Sequence, residues 1–262
     1  MDLPIYQVDA FTSSVFSGNP AAVCPLDSWL GDETMQAIAA ENNVSETSFF
    51  VRNGDGFNLR WFTPACEVDL CGHATLASAH VLFEELKEAT DTVRFQTKSG
   101  ELAVRREGKL LAMNFPSRPP KPVEPDARLV TALGGNPTEI LAARDYLVRY
   151  RSADELRALS PDMEALKKID RFAAIVTAPG TDCDFVSRFF APAQGIPEDP
   201  VTGSAHCTLI PYWAKELGKA TLRARQISRR GGELFCKLLG DRVEIAGHAA
   251  LFLKGQIHLS TE

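Results

Sequence analysis

One pattern occurs twice in this chain and limits its fold more than any composition figure. Trp61-Phe62-Thr63-Pro64-Ala65 leads through Leu70-Cys71-Gly72-His73-Ala74 into a helical stretch. About 130 residues later, Phe189-Phe190-Ala191-Pro192-Ala193 leads through Asp199-Pro200-Val201-Thr202-Gly203-Ser204-Ala205 into another. Ser99-Gly100-Glu101-Leu102 returns as Gly231-Gly232-Glu233-Leu234, and Gly108 as Gly240. The offset drifts only from 128 (Phe62 to Phe190) through 131 (Gly72 to Gly203) to 132 (Gly100 to Gly232), which a few loop insertions explain. The chain reads as a duplicated half-molecule, and a duplication of this kind points to a ligand cleft between halves.

A length of 262 residues with 45% hydrophobic content suits one large or two medium cores, and the repeat decides for two. The expected halves are 1–118 and 119–262. The linker is the stretch 116–125, which holds prolines at 116, 119, 120, 122 and 125 and no apolar periodicity. Terminal strands are free to cross between halves. A net charge of -6 argues against nucleic acid as a partner. Arg223, Arg225, Arg229 and Arg230 have the spacing of the wet face of a strand leading into a turn. Six scattered cysteines, at 24, 66, 71, 183, 207 and 236, read as reduced thiols. Met1-Asp2-Leu3-Pro4 lacks the marks of a signal peptide, and no apolar run reaches membrane-span length, so a soluble cytoplasmic protein is expected.

Local signals supply the elements. Ile5 to Phe11 suggests a first strand, with a loop closing at Gly18-Asn19-Pro20. Asp32 is placed to cap a helix ending at Asn42-Asn43. Ser45 to Val51 reads as a strand, with Glu46, Ser48 and Phe50 on one face and Thr47, Phe49 and Val51 on the other. Leu76, Ala79, Phe83 and Leu86 mark one core-facing helix; Ala205, Leu209, Tyr212, Trp213 and Leu217 mark another, with Gly218 as its stop. Pro211 should kink or shorten the second. Strand-like runs follow each helix, at 93–97, 101–106 and 110–115, then at 222–227, 233–238 and 242–246. The expected class is α+β: two similar domains, each a barrel-like mixed sheet wrapped around a central helix.

The first turn of a helix offers unpaired N–H groups and the positive end of a dipole, so Gly72-His73 and Gly203-Ser204 are candidate carboxylate sites. Glu46 is the candidate acid/base, because it lies alone in an uncharged stretch from Val44 to Val51. Its counterpart in the second half falls near Arg171, which is no carboxylate. His73 and Asp199 are candidates for reading the polar groups of a ligand, whereas His80, His206, His248 and His258 read as structural. Cys71 sits where a helix N-terminus lowers a thiol's pKa, which makes reactivity plausible. A metal set built on Cys66, Cys71 and His73 lacks a completing pair, so no metal is expected. GxSxG, Walker and GxGxxG patterns are absent.

Phe16-Ser17-Gly18-Asn19-Pro20-Ala21-Ala22-Val23, Ser45-Glu46-Thr47-Ser48-Phe49, Phe62-Thr63-Pro64, Cys71-Gly72-His73-Ala74-Thr75 and Glu198-Asp199-Pro200-Val201-Thr202-Gly203-Ser204-Ala205 together resemble the PhzF (phenazine biosynthesis) family. They occur in the family order across nearly the whole chain. The resemblance implies a diaminopimelate-epimerase-like fold and a homodimer. It also implies a cofactor-independent isomerase that moves a proton on a small carboxylate. By the same resemblance Glu46 matches the catalytic acid/base; His73 and Asp199 match substrate-binding residues; Gly72, Gly203 and Ser204 match the anion-binding backbone. Related epimerases carry a cysteine at each helix start, but here Cys71 faces Thr202 across the repeat, which disfavours a two-thiol racemase. Ser45, Cys71 and Thr202 remain auxiliary candidates. The rival readings are a non-catalytic metabolite-binding protein on this fold and a thiol-dependent epimerase built on Cys71.

Overall fold

The computed structural model of the chain describes residues 1–259. Its contacts divide it into one unit of Met1–Asn114 with the segment from Ala246 onward, and a second of Phe115–Ile245. The last long strand, Ala249–His258, therefore belongs with the first unit, where it pairs antiparallel with Asp2–Ala10.

In the first unit Asp2–Ala10 also pairs antiparallel with Asn19–Leu26, which runs parallel to Glu46–Asn53. That strand turns antiparallel into Gly56–Phe62, which is parallel to Thr92–Thr97; Thr92–Thr97 is antiparallel to Gly100–Glu107. The second unit repeats the order. Glu139–Ala142 is antiparallel to Tyr146–Arg149, which is parallel to Ala174–Pro179. Ala174–Pro179 is antiparallel to Phe185–Phe190, itself parallel to Thr221–Gln226, which is antiparallel to Gly232–Leu239. The duplication seen in the sequence is thus a duplication of topology. Each unit is a barrel-like mixed sheet around one helix, as expected.

Register also corrects the alignment of the two halves. Thr47 lies opposite Phe62 and Ala174 opposite Phe190, so the counterpart of Glu46 is buried Ala173, two residues beyond Arg171. One half has a carboxylate at this point and the other a methyl group.

The helix Gly72–His80 has every residue from His73 to Ala79 buried. A helix without a wet face must be enclosed on all sides. It touches five strands of its unit: Asp2–Ala10, Asn19–Leu26, Glu46–Asn53, Gly100–Glu107 and Ala249–His258. Strand alternation carries this out. Ser48 points to the helix, bonding Ser78 Oγ at 2.9 Å, while Phe49 packs on the outer side with Met35, Ile38 and Ala39 of helix Asp32–Asn42. Asp32 is that helix's first residue rather than its cap, a place taken by Gly31, and Asn43 ends it in the left-handed conformation. A π-turn at Val81–Glu85 follows Gly72–His80 and rotates the chain, so Leu86 leaves the apolar stripe to which Leu76, Ala79 and Phe83 belong.

In the second unit Gly203–Leu217 runs unbroken for 15 residues through Pro211 and stops at left-handed Gly218. Proline leaves the carbonyl four residues earlier without its helical donor. Here that carbonyl, on Cys207, accepts the Arg118 amide N–H at 2.8 Å, which satisfies it and lets the helix continue. Trp213 stacks on Phe185 at 5.6 Å and donates to Thr177 Oγ1 at 2.9 Å, anchoring the helix to two strands. Arg223 and Arg225 pair with Glu233 and Asp182 on an exposed face, as their spacing suggested.

His206 lies inside this helix and is fully buried. Its Nδ1 donates to Thr202 O at 2.8 Å, and its Nε2 is buried without a partner. Burial accordingly pushes the imidazole down from 6.5 to about 4, because a second proton would find no acceptor. The unfolded chain takes up this proton first, so the contribution of the neutral ring is complete above 6.5 and disappears as pH falls through about 4. Its size reaches up to about 3 kcal/mol. Urea unfolding of wild type and His206→Gln between pH 7 and pH 4 should therefore show a shallower acid decline in the variant; equal slopes would contradict this reading.

Candidate functional site

The polar groups of the first unit collect at the start of its buried helix. They are brought there by a turn held in an unusual backbone. Phe11, Phe16 and Gly18 all have positive φ, and a Cβ on Gly18 would lie 2.2 Å from the Ala10 carbonyl oxygen. Buried Asp9 accepts the Phe16 N–H at 2.9 Å and fixes this turn. The strand that leaves it begins with Asn19, which is completely buried.

Glu46 is the first residue of the neighbouring parallel strand, opposite Ala21. His73 is the second residue of the helix, and Cys71 is its extended N-cap. Glu46 is only 9% exposed, and His73 and Cys71 6% each. Glu46 Oε2 lies 2.9 Å from His73 Nε2, yet no hydrogen bond is aligned on this oxygen. The contact is an ion pair that leaves the carboxylate oxygen buried without a directed donor.

On the other side of the imidazole, Asn19 Nδ2 stands 3.2 Å from His73 Nδ1. Ser45 Oγ donates to Asn19 Oδ1 at 2.9 Å, which turns the amide so that its NH2 faces the ring. In the neutral ring Nδ1 then accepts, and the ring proton sits on Nε2, the nitrogen beside Glu46. Burial disfavours a charged His73, but the Cys71 sulfur and the Glu46 carboxylate outweigh it and hold the ring well above its ordinary pKa. In either charge state Nε2 carries a proton. Sequence reasoning took Asn19 for a loop residue, marked only by its Gly-Asn-Pro turn and by that turn's place in the first motif of the resemblance.

Cys71 Sγ lies 3.5 Å from His73 Nδ1 and 3.9 Å from Nε2. The expectation of a lowered thiol pKa is corrected. Burial and then the Glu46 charge push Cys71 up to about 11, because dehydration of a thiolate outweighs the pull of the helix end.

In the second unit Thr202 occupies the place of Cys71, an extended N-cap whose side chain does not cap its helix. Its hydroxyl donates instead to Asp199 Oδ2 at 2.5 Å. Buried Gln226 binds the pair, accepting the Thr202 N–H at 2.8 Å and donating to the Asp199 carbonyl at 2.7 Å. Gln226 had a signal in the sequence. It is the third inward position of Thr221–Gln226 after Leu222 and Ala224, where an apolar residue belongs. Ser204, in the place of His73, accepts from Arg144 Nη2 at 3.3 Å. Arg144 is oriented by a two-point contact with buried Asp145, both bonds 2.9 Å, and by the Phe172 ring 4.4 Å from its centre. The structure thus joins Glu46, His73, Cys71 and Ser45 in one cluster and Asp199 with Thr202 in another.

The family model described as phenazine biosynthesis-like protein matches residues 8–255, and this chain belongs to that family, the PhzF family. A Pseudomonas aeruginosa protein named as an uncharacterised isomerase is 54% identical over 261 residues, covering 99% of this chain and all of that protein. The crystal structure of a PhzF-family protein from Enterococcus faecalis matches with a TM-score of 0.97 at 47% identity, covering 99% of this chain and all of the other. A probable proline racemase from Agrobacterium radiobacter shares the fold at a TM-score of 0.63 and 10% identity, over 98% of this chain and 93% of its own. No helix among the described residues is long and apolar enough to cross a membrane.

The buried, protonated Cys71 and the exposed Cys66 should differ in reactivity. With iodoacetamide near neutral pH, peptide mass spectrometry should find Cys66 alkylated and Cys71 unmodified on the same timescale. Stoichiometric labelling of Cys71 would show a thiolate that this geometry does not support.

Proposed function

We propose that this protein is a cofactor-independent isomerase of the PhzF type, which moves a proton on a small carboxylate-bearing substrate with Glu46 as its single acid/base. The observation that carries the reading is Glu46 itself: a buried carboxylate with one oxygen lacking a directed donor, 2.9 Å from an oriented imidazole, in a half whose counterpart position is Ala173. Such a group takes a proton from a carbon made acidic by neighbouring unsaturation and returns it elsewhere on the same substrate. His73 binds a polar group of the substrate and stabilises Glu46 while it is anionic.

The substrate carboxylate is assigned, in this proposal, to the backbone at Gly72 and at Gly203-Ser204, with Asp199 accepting from a substrate donor. Support comes from the repeated architecture, which begins a buried helix with glycine at the same topological point of each unit. Arg144 beside Ser204 adds a positive charge there. The relative's name as an isomerase agrees with the reaction class. The thiol-epimerase alternative is weakened by two features of this chain: Cys71 is held near 11, and the corresponding position of the second unit is a threonine already bonded to Asp199. A homodimer is part of the proposal, by resemblance.

Incubating the protein with amino and hydroxy carboxylic acids in D2O, read by mass spectrometry, should find a substrate that gains deuterium. Glu46→Gln should slow that exchange at least a hundredfold, since general acid–base groups contribute about 10²–10⁴. An unimpaired variant would refute the assignment of Glu46. A ligand that binds but never exchanges would favour the metabolite-binding alternative.

A further inference from the structure

We propose that Glu46, Cys71 and His73 form a binding site for a thiophilic divalent cation, Zn2+ in particular, and that such an ion blocks the site rather than serving it. In the sequence, Cys66 is the nearest further ligand to Cys71 and His73, and that set is incomplete. The fold supplies a different third ligand. One ligand atom from each of Glu46, Cys71 and His73 lies within 4.8 Å of the others, and all three residues are buried.

The shared atom is His73 Nε2, 2.9 Å from Glu46 Oε2 and 3.9 Å from Cys71 Sγ. A tetrahedral Zn2+ with bonds of about 2.0–2.2 Å to N and O and about 2.3 Å to S spaces its ligand atoms by roughly 3.3–3.6 Å. The observed separations fall on either side of this range, and Cys71 Sγ lies nearer Nδ1, at 3.5 Å, than Nε2, so the imidazole must also turn to aim Nε2 between the sulfur and the carboxylate. Glu46 Oε2 adds to this: it is a buried carboxylate oxygen that meets no aligned hydrogen-bond donor and only the 2.9 Å ion-pair contact with His73 Nε2. A carboxylate, a thiol and an imidazole gathered within 4.8 Å are a donor set that suits Zn2+, and three protein ligands leave a fourth position open.

Binding releases one proton, from Cys71, and shifts the proton of the neutral His73 ring from Nε2 to Nδ1. Cys71 coordinates as thiolate and releases its proton, and the ion takes the place of the proton on His73 Nε2. Nδ1 must then carry the ring proton and donate it, which Asn19 accommodates by turning its amide to offer Oδ1 while Ser45 accepts from Nδ2. The contacts at 3.2 and 2.9 Å are the right length for either orientation. With the ion in place, Glu46 Oε2 is committed to the metal and no longer takes up a substrate proton. This inhibitory consequence rests on the isomerase reading, whereas the binding does not.

The test uses the full chain, freed of metal with EDTA, and Co2+ as a probe whose thiolate bond gives a near-ultraviolet charge-transfer band. The expected result is a saturable band in wild type and in Cys66→Ser, abolished by stoichiometric Zn2+. The band should be lost in Cys71→Ser, and Co2+ affinity should fall at least tenfold in Glu46→Gln, with circular dichroism confirming that each variant is folded. Absence of the band in wild type, its persistence in Cys71→Ser, or unchanged affinity in Glu46→Gln would overturn the site. Deuterium exchange into a substrate separates the two claims. Exchange in metal-free buffer without any cobalt band sinks the metal site alone; a cobalt band without exchange sinks the isomerase reading alone. Exchange that saturating Zn2+ leaves undiminished overturns the inhibition.

Discussion

The constraint on which the first unit rests is a helix with no wet face. From His73 to Ala79 every residue of Gly72–His80 is buried, so a sheet must close around it, and only its start remains available for chemistry. Burial that stabilises the core also concentrates polar groups at one place. Glu46, Asn19, Ser45, Cys71 and His73 are drawn together because each stands at a strand or helix beginning that packs on that start. They are kept polar by contacts with each other, since unpaired they would cost several kcal/mol in such surroundings.

Repetition of the same plan explains what the two units share, and register shows where they part. Glycine opens each buried helix, and an extended N-cap that withholds its side chain from capping precedes it. At the position of Glu46 the second unit has Ala173; at the position of Cys71 it has Thr202, spent on Asp199. A two-base racemase needs matched groups. A chain with one buried carboxylate and one occupied threonine is matched to single-base proton transfer, while its thiol, held near 11, is poorly suited to act as the base.

Much of this is legible in the sequence. The duplication, the two helices and the strands that follow them came from periodicity and repeated glycines, which report directly on burial and turns. Glu46 stood out because charge in an apolar stretch has a cost that needs a reason, and His73 because it follows the glycine at a duplicated helix start. What escaped was set by non-local contact. Asn19 acts on His73 across 54 residues, and the Cys207 carbonyl finds Arg118, so neither the tautomer nor the tolerance of Pro211 is written in a local window. The sign of the Cys71 shift also depended on burial, which a helix-start motif does not reveal. Gln226 is the exception, a polar residue on an inward face that alternation alone would have exposed.

The central claim is that one carboxylate, shielded from water, both removes and returns the substrate's proton. The direct measurement is a single turnover in H2O with a substrate deuterated at the migrating position, the product being analysed by mass spectrometry. Transfer by Glu46 predicts that a measurable fraction of product keeps the original deuterium, now at the new carbon. Product carrying only solvent hydrogen there, from the first turnover onward, would contradict the single-base account.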